Sequence, residues 1–130
     1  MSELLDLIKA SAQYPADFEE YVDVDSGLRR VAGNKKIYIK IMKSFLDSAE
    51  FENLRNNLSS NDILAAAATA HGLKGMAGNL SLTKLYQQTV DLEGQLKQGV
   101  YDPAAGASFY GLADKSKEYI RVLLAAIDTE

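Results

Sequence analysis

"ILAAAATAHGLKGMAGNLSLTKLYQQTVDLEGQLK", residues 63–97, decides how this chain folds. Ile63, Ala66, Ala70, Leu73 and Ala77 step by three and four, the spacing of one helix face. "GNLS" breaks the pattern, and Leu82, Leu85, Thr89, Leu92 and Leu96 resume it on a second helix with Ser81 as its expected N-cap. Two amphipathic helices this close in sequence pair as an antiparallel hairpin with its turn near 79–81.

The same helical period runs outward in both directions. Upstream, "SSND" at 59–62 supplies caps for the alanine-rich helix. Before it, one long helix is expected over about 35–58, with Ile37, Ile41 and Phe45 beside Tyr38, Met42 and Leu46 in a broad buried stripe. Asp25 is the expected N-cap of a brief helix through Ala32, with Leu28 and Val31 inward and Gly33 as its stop. Residues 3–12 form a short amphipathic segment ended by Pro15, and "YPADFEEYVDVD" (14–25) is an acidic, aromatic connector. Downstream, Gly99 ends the hairpin's second helix, and Asp102-Pro103 places an N-cap before a proline at the first helical position. The last helix carries Phe109, Leu112, Ser116, Ile120, Leu123 and Ile127 inward. The expected architecture is all-α, an up-down-up-down antiparallel four-helix bundle with short extra N-terminal helices. Residues 1–23 would be the N-terminal helix and connector and 24–130 the bundle, a single domain.

Composition removes several function classes. The net charge is −4 with no basic cluster, which leaves nucleic-acid binding without an electrostatic footprint. There is no cysteine for thiol chemistry or a zinc site, and no apolar run of the roughly 18 residues that a membrane span needs. The N-terminus "MSELLDLIKA" lacks a secretory pattern, so the cytoplasm is the expected location. Nothing marks a dedicated dimer helix, and a monomer is expected.

His71 is the sole histidine, and Gly72, Gly75 and Gly78 crowd round it inside a helix. Each interior glycine costs about 1 kcal/mol relative to alanine, so this surface must need bare backbone. His71 follows the core residue Ala70 by about 100°, on the shoulder of the buried stripe. Helical side chains lean toward the N-terminus, so the residues that could cover it are Lys74 and Gly75. Lys74 can bring a cation over the ring, and Gly75 leaves an empty slot. Ala67 and Ala68 on the other side are also small. An imidazole so placed suits carrying an anionic group while another protein approaches; the plainer reading is a half-exposed surface histidine. Gly78 reads as a C-terminal stop. In the hairpin, His71 falls opposite residues 89–93, where Glu93 is the ionisable side chain on the inward shoulder. A carboxylate accepting from Nδ1–H would fix the tautomer and leave Nε2 free as a nucleophile. Otherwise Glu93 is an ordinary solvated glutamate.

"AHGLKGMAGNLSLTKLYQQTVDLEGQL" (70–96) resembles the histidine-containing phosphotransfer (HPt) family, marked by H-x-L-K-G-x-A-G-N and an L-E on the next helix. "DSGLRRVAGNKKIYIKIMKSF" (25–45) is similar to the stretch before it in bacterial members, and the likeness spans roughly 24–127. It implies a phosphoryl carrier without kinase activity of its own. By match of motif, His71 would be the phosphoacceptor, Lys74 the stabilising cation, Gly75 the clearance and Glu93 the hydrogen-bond partner of the ring. The implied partners are a response-regulator receiver domain and a sensor or hybrid histidine kinase. No cofactor is intrinsic, and Mg²⁺ would come with the receiver. Ala67, Ala68 and Ile39 are candidate docking contacts. Ser81 and Leu82 depart from the family's usual glycine and alanine, which puts the turn geometry in question. The competing readings are a non-phosphorylated adaptor that binds a receiver or kinase and a metal-binding bundle. The second lacks ligands, with one histidine and no paired Glu-x-x-His motif.

Overall fold

The computed structural model describes residues 3–128, and these form α1 (Glu3–Lys9), α2 (Phe18–Tyr21), α3 (Val24–Arg30) and α4 (Lys35–Leu46). There follow α5 (Glu50–Ser59), α6 (Ile63–Asn79), α7 (Thr83–Lys97) and α8 (Pro103–Asp128). No strand occurs among the described residues, so the chain is all-helical as expected. Short polar side chains start four of the helices by occupying open backbone donors. Asp23 accepts from Ser26 N–H at 3.0 Å, Asn34 from Ile37 N–H at 3.1 Å, and Asp62 from Ala65 N–H at 3.1 Å. The cap of α3 is therefore Asp23, and Asp25 sits inside the first turn. Asp102 accepts from Ala104 N–H at 3.0 Å ahead of Pro103, the start expected for α8.

The single helix expected over 35–58 is two, broken at Asp47–Ala49. Ser48 Oγ accepts from Glu50 N–H at 3.2 Å, a side-chain bond that competes with continuing the helix. The packing reason is rotational. Phe51 follows Phe45 by six residues, so in an unbroken helix it would point about 120° away from the core side. With the break, Phe45 and Phe51 meet edge to face at 5.4 Å and Phe51 reaches Phe109 of α8 at 6.1 Å. Tyr38, Met42 and Phe45 are the buried residues of α4, whereas Ile37 is 44% exposed and Ile41 and Leu46 are half-buried.

α6 and α7 form the antiparallel hairpin, with contact moving from Gly78–Tyr86 near the turn to His71–Glu93 below it. Ala66, Ala67, Ala70 and Ala77 are buried in α6, and their small side chains let neighbouring helices approach closely. α6 runs through Gly78 to Asn79, so Gly78 is no stop. A Cβ there would stand 3.2 Å from the Tyr86 ring, and close packing is its reason.

The turn itself also differs from expectation. Ser81 does not cap α7, whose N-cap residue Leu82 makes no side-chain cap bond. Instead Ser81 has φ +53 and ends α6: its N–H donates to Gly78 O at 3.1 Å, and Leu82 N–H donates to Ala77 O at 2.9 Å. A residue with a Cβ pays roughly 1 kcal/mol for this left-handed backbone, which glycine adopts freely.

The N-terminal segment joins the same core. Leu4, Leu5, Ile8 and Phe18 are buried with the bundle's residues. Tyr21 stands edge-on to Tyr119 at 5.2 Å, and the Tyr119 hydroxyl donates to Asp17. Leu112 is half-buried, while Phe109, Ser116, Ile120, Leu123 and Ile127 line the inner side of α8 as expected.

Candidate functional site

One face of α6 is open to water. Leu64, Ala68, His71, Gly72, Gly75 and Asn79 are exposed along that face, and Leu64 is 85% exposed. Ala68, Gly72 and Gly75 leave this face lightly covered on both sides of His71. Nothing lies within 4 Å of the position a Cβ would take at Gly72 or Gly75. Among the described residues no packing contact accounts for these two glycines.

The His71 side chain is 67% exposed, and Nδ1 lies 2.8 Å from Glu93 Oε2. Because a carboxylate only accepts, Nδ1–H is the donor in this contact, and in the neutral ring the lone pair is then on Nε2. Glu93 is buried at 3% exposure, which its position on the inner shoulder of α7 explains. Its charge is balanced by two lysines. Lys74 Nζ is 2.6 Å from Oε1, and Lys97 Nζ is 3.2 Å from Oε2. Burial pushes the Glu93 carboxyl upward, but the hydrogen bonds from Lys74, His71 and Lys97 more than offset it and hold the group down at about 2.

The residues singled out from sequence are thus brought together at His71, Lys74, Gly75 and Glu93. Lys74 thus pairs with the same carboxylate that His71 Nδ1 meets. Ala67 is buried at 6% exposure and cannot serve as a docking contact, since it faces the hairpin interior; Ala68 is exposed. Ile39 is half-buried in a shallow groove with Lys36, Lys40 and Lys43. Two residues went unremarked in the sequence, Lys97 and Leu64. Lys97 was legible as the i+4 neighbour of Glu93, a pairing helices favour. Leu64 was legible only as an apolar residue off the core stripe.

Among the described residues no three His, Cys, Asp or Glu side chains are grouped to hold a metal, and no helix is long and apolar enough to cross a membrane. The fold and site therefore define a helical domain that presents one imidazole, backed by a buried carboxylate, on a cleared apolar surface. The family model described as Hpt domain matches residues 40–129, and the chain belongs to that family. Hpt domains act in histidine phosphotransfer within phosphorelays, as carrier modules. No curated protein and no solved structure matches the chain.

Proposed function

We propose that His71 Nε2 takes a phosphoryl group from a receiver-domain aspartate or a histidine kinase and passes it to a second receiver aspartate. The observation that carries this is the 2.8 Å contact of His71 Nδ1 with Glu93, on a ring 67% exposed. It supports Nε2 as the reactive nitrogen of an exposed ring. In the transfer the Nε2 lone pair attacks phosphorus in line. The N–P bond forms as the aspartyl P–O bond breaks, and the donor carboxylate leaves; no proton has to move. The ring becomes cationic with Nδ1–H still on Glu93, and that buried carboxylate stabilises the developing positive charge. The phosphoryl oxygens then compete with Glu93 Oε1 for Lys74, whose ammonium is already beside the site. Lys97 keeps Glu93 paired while Lys74 turns outward.

The chain supplies position and charge, which is most of what phosphoryl transfer requires. The divalent cation is assigned to the receiver partner. The bundle is read as up-down-up-down with α4–α5 as its first broken stave and α6, α7 and α8 as the rest. The receiver docks on the Leu64–Ala68–His71–Gly75 strip, where Leu64 lies roughly 10 Å along the helix axis from His71.

Incubation of the chain with a phosphorylated receiver domain should give an acid-labile, base-stable phosphate on it. His71→Gln should abolish the label. A label that persists in this variant overturns the assignment, and receiver binding without any label in wild type would favour an adaptor.

A further inference from the structure

Beyond Gly75 the surface falls into a cleft of about 380 Å³ between α3 and the α6–α7 turn. Lys74 and Gly75 form its near edge, Arg30 and Ser26 its α3 wall, and Tyr86 part of its α7 wall. We infer that this cleft is a second recognition site and that Arg30 binds there a carboxylate side chain of the receiver domain docked on His71. The inference rests on the phosphotransfer reading above for the identity of its partner.

Ser81 points to it first. Its left-handed backbone would suit glycine better, so the hydroxyl must be doing something that glycine cannot. It donates to Ser26 Oγ at 2.7 Å and accepts from Arg30 Nε at 3.3 Å. The strained residue thereby ties α3 to the turn and holds the guanidinium by its inner nitrogen. Among the described residues no protein group meets the two outer nitrogens of Arg30. These are the pair that grips a carboxylate with two parallel hydrogen bonds.

Charge assigns the occupant. Lys74 is paired with Glu93 at rest and serves the phosphoryl group during transfer, so Arg30 is the cation left to the cleft. Asp23, the carboxylate on the lining, caps α3 through Ser26 N–H. An incoming acid therefore sits on the Arg30 side. The cleft is continuous with the site through Lys74 and Gly75, so the body that covers His71 during transfer also covers it. Its other wall offers the Tyr86 ring, 41% exposed, for an apolar stem.

The test uses the full chain and, from a panel of purified receiver domains, the one that binds it most tightly. Receiver affinity is measured by titration, and phosphoramidate labelling of His71 is measured separately, with no receiver present. Arg30→Gln should weaken receiver binding about tenfold, as loss of a charge-assisted bidentate pair does, with labelling unchanged. Arg30→Lys keeps the charge without the fork and should recover only part of that loss. Ser81→Gly should weaken binding about threefold while the protein melts no lower, because the backbone strain is relieved as the tether goes. Receiver affinity unchanged in Arg30→Gln overturns the inference, as does an equal fall in phosphoramidate labelling. Arg30-dependent binding by a wild-type chain that takes no label would overturn the phosphotransfer reading and leave the cleft assignment standing.

Discussion

Replacing Glu93 by glutamine tests the centre of the site, because the amide copies the shape of the protonated acid and removes only the charge. The carboxyl is held at about 2 against an ordinary 4.5. At 1.36 kcal/mol for each pH unit, pairing with Lys74, His71 and Lys97 favours the ionised folded form by on the order of 3 kcal/mol. Because the folded value is depressed, this stabilisation is complete above pH 4.5 and disappears as pH falls toward 2. Glu93→Gln should therefore be less stable than wild type by about 3 kcal/mol at pH 7, roughly 8–12 °C in Tm for a domain of this size. Urea unfolding of both proteins from pH 7 down to pH 2 provides the assay. The other carboxylates titrate in both chains and cancel in the difference. The gap should hold from pH 7 to pH 5 and then close. A gap independent of pH, or below about 1 kcal/mol at pH 7, would refute the account of Glu93 as a buried anion shared by three donors.

Lys74→Ala should slow transfer from a phosphorylated receiver about tenfold, the scale of losing one charge-assisted contact, with a cooperative unfolding transition retained. An unchanged rate in rapid-quench assays would remove the lysine from the mechanism. Gly75→Ala should raise stability by about 0.5–1 kcal/mol, because a Cβ there meets nothing within 4 Å. Gly75→Phe should fold but block receiver transfer, and transfer at the wild-type rate would show that the slot is not used. Gly27→Ala should destabilise the protein by about 1–3 kcal/mol in thermal unfolding despite better helix propensity. Its Cβ would stand 2.7 Å from the buried Tyr38 ring, and an unchanged Tm would mean that α3 can back away from α4.

His71, Lys74 and Gly75 were legible because they lie within about one helical turn, where spacing alone sets which side chains can meet. Glu93, 22 residues away, was reachable only through the hairpin, and it became a firm member of the site once α6 and α7 had a register. The break at Asp47–Ala49 was hidden because Ile37, Ile41, Phe45 and Phe51 are all apolar and periodicity does not say which of them finds a neighbour. Ala67 and Ala68 illustrate the same limit. They are identical and adjacent, yet one is buried against the hairpin and the other faces water.

The amino-acid order by itself determined that this chain is helical, where its hairpin turns, and that one imidazole stands beside a cation and an empty position. Those properties depend on residues a few places apart, whose geometry a helix dictates. Only the tertiary structure decided that Lys74 rests on Glu93, that Lys97 joins it, and that Ser81 ties Arg30 to the turn. These contacts join side chains whose meeting depends on how whole helices rotate and bend to fill a common core, a property of the packed assembly that no single helix encodes.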